Sequence, residues 1–131
     1  MMKALGMIAA LVVAFAISAS AQEDMKFAAV AANNEGNLLV RWGKTEAEAI
    51  ERASRACANS SNTCAKEPAT TPELDDVFAY YCCTSPKLSC MVPSHETREK
   101  AVEVAQRLMK EKGYSSCRAR AYYSARTGKR L

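Results

Sequence analysis

Seven residues hold most of the chemistry this chain could do: Cys57, Cys64, Cys82, Cys83, Cys90, Cys117 and the single histidine, His95. One histidine excludes a multi-histidine metal centre and leaves one ordinary general base. His95 follows Ser94 at an expected helix start, where the helix dipole disfavours a protonated imidazole. Sequence neighbours rarely converge into a nucleophile–base dyad, so a helix cap is the better role for Ser94. Cys82-Cys83 falls in an expected strand, which sends the two side chains to opposite faces. That suits two separate bridges, whereas a dithiol redox site uses Cys-x-x-Cys at a helix N-terminus. Cys57–Cys64 and Cys83–Cys90 each enclose six residues, against about two to four in zinc-binding pairs. Glu73, Asp75 and Asp76 lack the spaced oxygens and glycine turn of a calcium loop. No Gly-rich phosphate loop, nucleophile elbow or zinc-protease helix occurs. The expectation is a non-enzyme, with no catalytic residue, no metal ligands and no cofactor.

The other chemistry open to cysteine is the disulfide, which needs an oxidising compartment. Residues 1–21 supply the route to one. Lys3 precedes an apolar run from Leu5 to Ile17, and Ala19-Ser20-Ala21 ends in small residues. This is the pattern of a secretory signal cleaved before Gln22. The run falls short of the roughly 20 apolar residues that cross a bilayer. Nothing later is apolar enough to span one, so residues 22–131 are expected to form one soluble, exported domain, periplasmic or secreted. An even number of cysteines in a small exported chain reads as a disulfide framework, here using all six. Sequence leaves the pairing open.

Charge is the second signal. Residues 22–97 hold seven Lys and Arg against 11 Asp and Glu, whereas residues 98–131 hold ten against three. The chain is bipolar. Arg118, Arg120 and Tyr122 alternate along an expected last strand and should share its outer face, with Arg126, Lys129 and Arg130 following. Cations beside an aromatic side chain can hold phosphate, carboxylate or a sugar polymer. These six residues form the candidate anion-binding patch.

The elements that would position these residues are legible in outline. Residues 27–42 read as a hairpin, with strands 27–32 and 38–42 around Asn33-Asn34-Glu35-Gly36-Asn37. Thr45-Glu46-Ala47-Glu48 is a capping box for a helix to about Ala58, with inner face Ala49, Ile50, Ala53, Ala56 and Cys57. Cys64–Asp76 reads as a loop. Strand 77–83, the turn Thr84-Ser85-Pro86-Lys87 and the return 88–92 follow. A second helix covers about 96–112, capped by Ser94 or Thr97 and stopped at Gly113. Strand 117–123 closes the chain. Laid over each other at an offset of 52, the helices align Thr45 with Thr97, Ala49 with Ala101, Ala53 with Ala105 and Arg55 with Arg107. This suggests pseudo-repeats over 27–64 and 77–123. The fold class expected is α+β: an antiparallel sheet of hairpins, two helices packed on one face, disulfide-stapled, with a possible duplicated β-β-α unit.

The strand Phe27-Ala28-Ala29-Val30-Ala31 leads through Gly43 to Thr45-Glu46-Ala47-Glu48-Ala49. With the run Ala53 to Cys57, then Cys64, then a strand ending in Cys82-Cys83, it resembles small exported bacterial domains of unknown function, serial number 4189. The likeness covers about residues 27–84. It implies a disulfide-bonded α+β module with no assigned activity, and it brings no catalytic residues. The double cysteine departs from the family pattern, where one is usual.

The function expected is a non-enzymatic binding module contacting an unknown protein or an anionic envelope component. The alternative is an inhibitor or immunity-type protein of an exported hydrolase, using loop 65–76 and turn 84–87. Nucleic acid is not expected as a physiological ligand for a chain that leaves the cytoplasm.

Overall fold

The computed structural model describes residues 25–33, 36–60, 63–64 and 68–131. The signal segment 1–21 and its cleavage point before Gln22 lie outside the described residues.

The chain order is β1 (Phe27–Ala32), β2 (Leu38–Gly43), α1 (Glu46–Ser60), β3 (Ala69–Thr71), β4 (Val77–Ser85), β5 (Ser89–Met91), β6 (Ser94–His95), α2 (Arg98–Glu111) and β7 (Ser115–Ser124). The α+β class, the antiparallel hairpins and the two helices are those expected. The layering differs from a single sheet with both helices on one face. The strands divide into one sheet ordered β2-β1-β3 and a second in which β4 pairs with β5, β6 and β7. All pairings are antiparallel.

Side-chain alternation explains the layers. In β1, Ala28 and Val30 point one way and Ala29 and Ala31 the other. The first pair joins Leu38, Val40, Phe78, Tyr80, Cys82, Ala121 and Ala125 in the central core, where the two sheets face each other. The second pair packs under α1 against Ala49, Ala53 and Cys57. In β4 the same division sends Tyr81 and Cys83 under α2, against Ala105 and Met109. Each helix therefore covers its own sheet, and the sheets bury their other faces together. The central strands β1 and β4 are buried on both faces, so each needs a layer of cover on either side.

Positions 52 apart stand in like places. Ala29 and Ala31 lie under α1 as Tyr81 and Cys83 lie under α2, and both helices start one residue after a threonine cap. Thr45 Oγ1 accepts the Glu48 N–H at 3.1 Å, and Thr97 Oγ1 accepts the Lys100 N–H at 3.2 Å. Thr97, not Ser94, is thus the second cap. Small side chains let α1 sit close to its sheet. A Cβ at Gly43 would stand 2.6 Å from the Ala49 nitrogen, so only glycine fits this approach.

Two departures from the expected strands matter for the site. The segment read as a loop from Cys64 to Asp76 contains β3, which pairs Thr71, Thr70 and Ala69 with Ala28, Ala29 and Val30. Three residues show no periodicity from which a strand is legible. His95 stands in β6, opposite Val77, and not in the helix.

All six cysteines are paired: Cys57–Cys64, Cys82–Cys90 and Cys83–Cys117. Cys82 and Cys83 bridge to different neighbours of β4, one on each face, as their alternation requires. The central strand is thereby tied covalently to both flanking strands.

Candidate anion-binding site

β7 begins after Gly113, whose positive φ of 85° turns the chain back from α2. Its residues alternate apolar and charged up to Arg120, as a half-exposed strand should. Cys83 pairs with Cys117, Cys82 with Arg118 and Tyr81 with Ala119, but Tyr80 pairs with Ala121 and Ala79 with Tyr122. Arg120 is the extra residue of a β-bulge. The alternation reverses across it. Arg118 shares the face of Cys82, on the side of the central core, and Tyr122 shares the face of Ala79, on the side of α2. The single outer face expected for Arg118, Arg120 and Tyr122 is therefore not formed.

Tyr122 has another neighbour. The Arg98 guanidinium, in the first turn of α2, lies 4.9 Å from the centroid of its ring, within cation–π range. Arg98 was not legible as part of any site, because nothing in the spacing of residues 98 and 122 says that their elements pack.

Arg126 is also engaged. Its Nε and Nη2 donate to Asp75 Oδ1 at 3.1 and 2.8 Å. The acidic and basic halves of the chain meet here in an exposed pair. Asp76 turns elsewhere, with Oδ2 accepting the Thr71 hydroxyl at 2.8 Å. Among the described residues no group of three or more His, Cys, Asp or Glu is placed to hold a metal ion.

The remaining cations behave differently. After Ala125 the chain turns at Gly128 and comes back along β7. Lys129 O accepts the Ser124 N–H at 2.9 Å, and Tyr122 O accepts the Leu131 N–H at 2.8 Å. Arg130 is thus bridged opposite Tyr123, and its Nη2 donates to Arg120 O at 3.3 Å. Arg118, Arg120, Lys129 and Arg130 are exposed. The ion pairs formed among the described residues are Arg52–Glu48, Arg55–Glu51, Lys100–Glu96 and Arg126–Asp75. None involves these four. Of the six expected patch residues, Arg120 and Arg130 are brought into contact and Lys129 precedes Arg130 on the returning tail, Arg118 stands two residues before Arg120 on β7, and Tyr122 and Arg126 are engaged elsewhere.

His95 accepts the Glu96 N–H on Nδ1 at 2.9 Å. Glu96 pairs with Lys100 one turn into α2. The hydrogen bond from Lys100, and then its charge, hold the Glu96 carboxyl below its ordinary pKa and raise that of Lys100 in return.

No family model matches this chain, and neither a curated protein nor a solved structure matches it. Among the described residues no helix is long and apolar enough to cross a membrane. The structure is a small α+β fold held by three disulfides, a construction that fits an oxidising compartment.

Proposed function

We propose that this protein is an exported, non-enzymatic binding module. It meets an anionic envelope partner through Arg118, Arg120, Lys129 and Arg130. The observation that carries this reading is that these four exposed cations have no carboxylate partner among the described residues, while Arg126 in the same segment does. Guanidinium groups are suited to bidentate contact with phosphate and carboxylate. The disulfides at Cys82–Cys90 and Cys83–Cys117 hold the supporting strand at its middle, so little ordering is needed on binding. Export and the resemblance to exported disulfide-bonded domains belong to this proposal. The assignment as a non-enzyme is supported by the use of every cysteine in a bridge and by the His95 ring accepting a backbone N–H.

The test is binding of the oxidised protein to its own envelope fraction. Affinity should fall several-fold between about 0.05 and 0.3 M salt, as contacts between exposed charges are screened. The triple variant Arg118→Glu, Arg120→Glu, Arg130→Glu should lose it, while Arg126→Gln should not. Equal binding by the triple variant would overturn the reading.

A second reading, an inhibitor of an exported hydrolase, is favoured by one feature. The turn Thr84–Leu88 joins β4 to β5 with Cys82–Cys90 closing its base, and Leu88 is 61% exposed. A stoichiometric complex with one hydrolase, lost in Leu88→Asp, would select this reading over the first.

A further inference from the structure

A second group of cations lies in the half of the chain that is acidic overall. Arg41 pairs with Ala29 across β1 and so stands on the side of the first sheet that faces α1. From α1, Arg52, Arg55 and Asn59 are presented at three- and four-residue spacing on one stripe. Together these residues line an open cleft of about 400 Å³ between the edge of β2 and the helix.

Two of the three guanidinium groups are held by backbone carbonyls. Arg41 Nη1 donates to Val40 O at 2.7 Å, and Arg52 Nη1 donates to Trp42 O at 2.8 Å. Glu48 pairs with Arg52 and Glu51 with Arg55, on the helix surface. Arg41 forms no ion pair among the described residues. Each guanidinium has five N–H donors, so all three keep donors for a ligand.

Trp42 joins this cleft to the tail of β7. Its carbonyl takes the Arg52 donor, while its indole Nε1 donates to Ala125 O at 2.7 Å. Gly128 lies against the ring, where a Cβ would be 3.0 Å from Cη2. The core-side face of β2, which carries Val40 and Trp42, is therefore stacked over the end of β7, with Lys129 and Arg130 following directly, while Arg41 stands on the opposite face of the same strand.

We propose that the Arg41–Arg52–Arg55 cleft is a phosphate-binding subsite on the opposite face of β2 from the β7 tail, and that the ligand is a linear phosphate polymer that passes round the edge of β2 and reaches both. This rests on the β7 reading. A lone anion reaches only one of the two groups, whereas a chain of linked phosphates reaches both and gains by effective concentration. Three guanidinium groups and the Asn59 amide around one opening offer more donors than the two oxygens of a carboxylate can accept. A terminal phosphate, with three unbridged oxygens, takes more of them.

The test uses the oxidised full-length mature protein with long-chain polyphosphate, tripolyphosphate and poly-glutamate as probes. Wild type should bind the long polyphosphate at least about ten-fold more tightly than tripolyphosphate. Arg41→Gln with Arg55→Gln should remove most of that gain while leaving poly-glutamate binding unchanged, and Arg118→Glu with Arg120→Glu should weaken both polymers. Thermal melts of the exposed variants establish that they fold. If only the β7 variant weakens polyphosphate, the cleft is not a subsite and the β7 reading stands alone. If neither variant matters, or wild type binds no polymer, both are overturned. Equal losses of poly-glutamate and polyphosphate in the cleft variant would overturn the phosphate assignment.

Discussion

The two bridges on β4 form a matched pair that isolates the effect of loop length on stability. Cys82 and Cys83 are adjacent and both fully buried, at 1% and 0% exposure. Each bridges to the residue directly opposite on a flanking strand, with Cα–Cα distances of 4.0 and 3.9 Å. They differ in the chain they enclose: Cys82–Cys90 spans 8 residues and Cys83–Cys117 spans 34. A cross-link stabilises chiefly by restricting the unfolded chain, and the loop-closure relation gives about 2.5 kcal/mol for the short loop and about 3.8 kcal/mol for the long one. Replacing both cysteines of a bridge by alanine removes similar buried volume in each case, so the difference of about 1.3 kcal/mol should survive. It corresponds to roughly 5–10 °C in Tm for a domain of this size. Urea unfolding of C82A/C90A and C83A/C117A, each with the other two bridges oxidised, measures it. If the short-loop variant is the less stable of the two, the reasoning from loop entropy fails, and native packing around the Cys82 sulfur governs instead.

Gly43→Ala should destabilise by about 1–3 kcal/mol, since its Cβ would stand 2.6 Å from the Ala49 nitrogen and α1 would have to move off the sheet; urea unfolding with far-UV circular dichroism reports it. Thr97→Ala should cost about 1 kcal/mol through loss of the α2 cap, while Ser94→Ala should be close to neutral by the same measurement. In Lys100→Met, the Glu96 carboxyl should titrate nearer its ordinary value in side-chain NMR. The sign is that of a lowered carboxylate: the pair favours the folded state at neutral pH, and its contribution disappears as pH falls through the depressed Glu96 pKa.

Much of the local structure was legible because its causes are local. The small-residue run 27–32 leading into Asn33-Asn34-Glu35-Gly36-Asn37 marks a hairpin strand, threonine followed by a glutamate three residues on marks the first cap, and Gly113 marks the end of α2. The opposite faces of Cys82 and Cys83 follow from strand geometry alone, and their separate bridges follow from those faces. The disulfide pairing itself was open, because it depends on which strands flank β4. Sheet order is a contact between distant segments and leaves no trace in the spacing of neighbours.

The candidate site divides along the same line. Composition was enough to place the excess of cations after residue 97, because charge is a property of residue type. Only the register of β7 on β4 decided which of them stand together. One additional residue, Arg120, reverses the alternation and carries Tyr122 to the side of α2, where Arg98 meets it. The pairing of Arg126 with Asp75, 51 residues away in sequence, is likewise a product of packing. Arg41 and Arg52, eleven positions apart in an acidic stretch, gained a common cleft only when α1 folded back on β2. Side-chain chemistry is fixed residue by residue, but adjacency comes from long-range pairing of strands and helices. That pairing is governed by burial summed over the whole domain, which no short window of sequence contains.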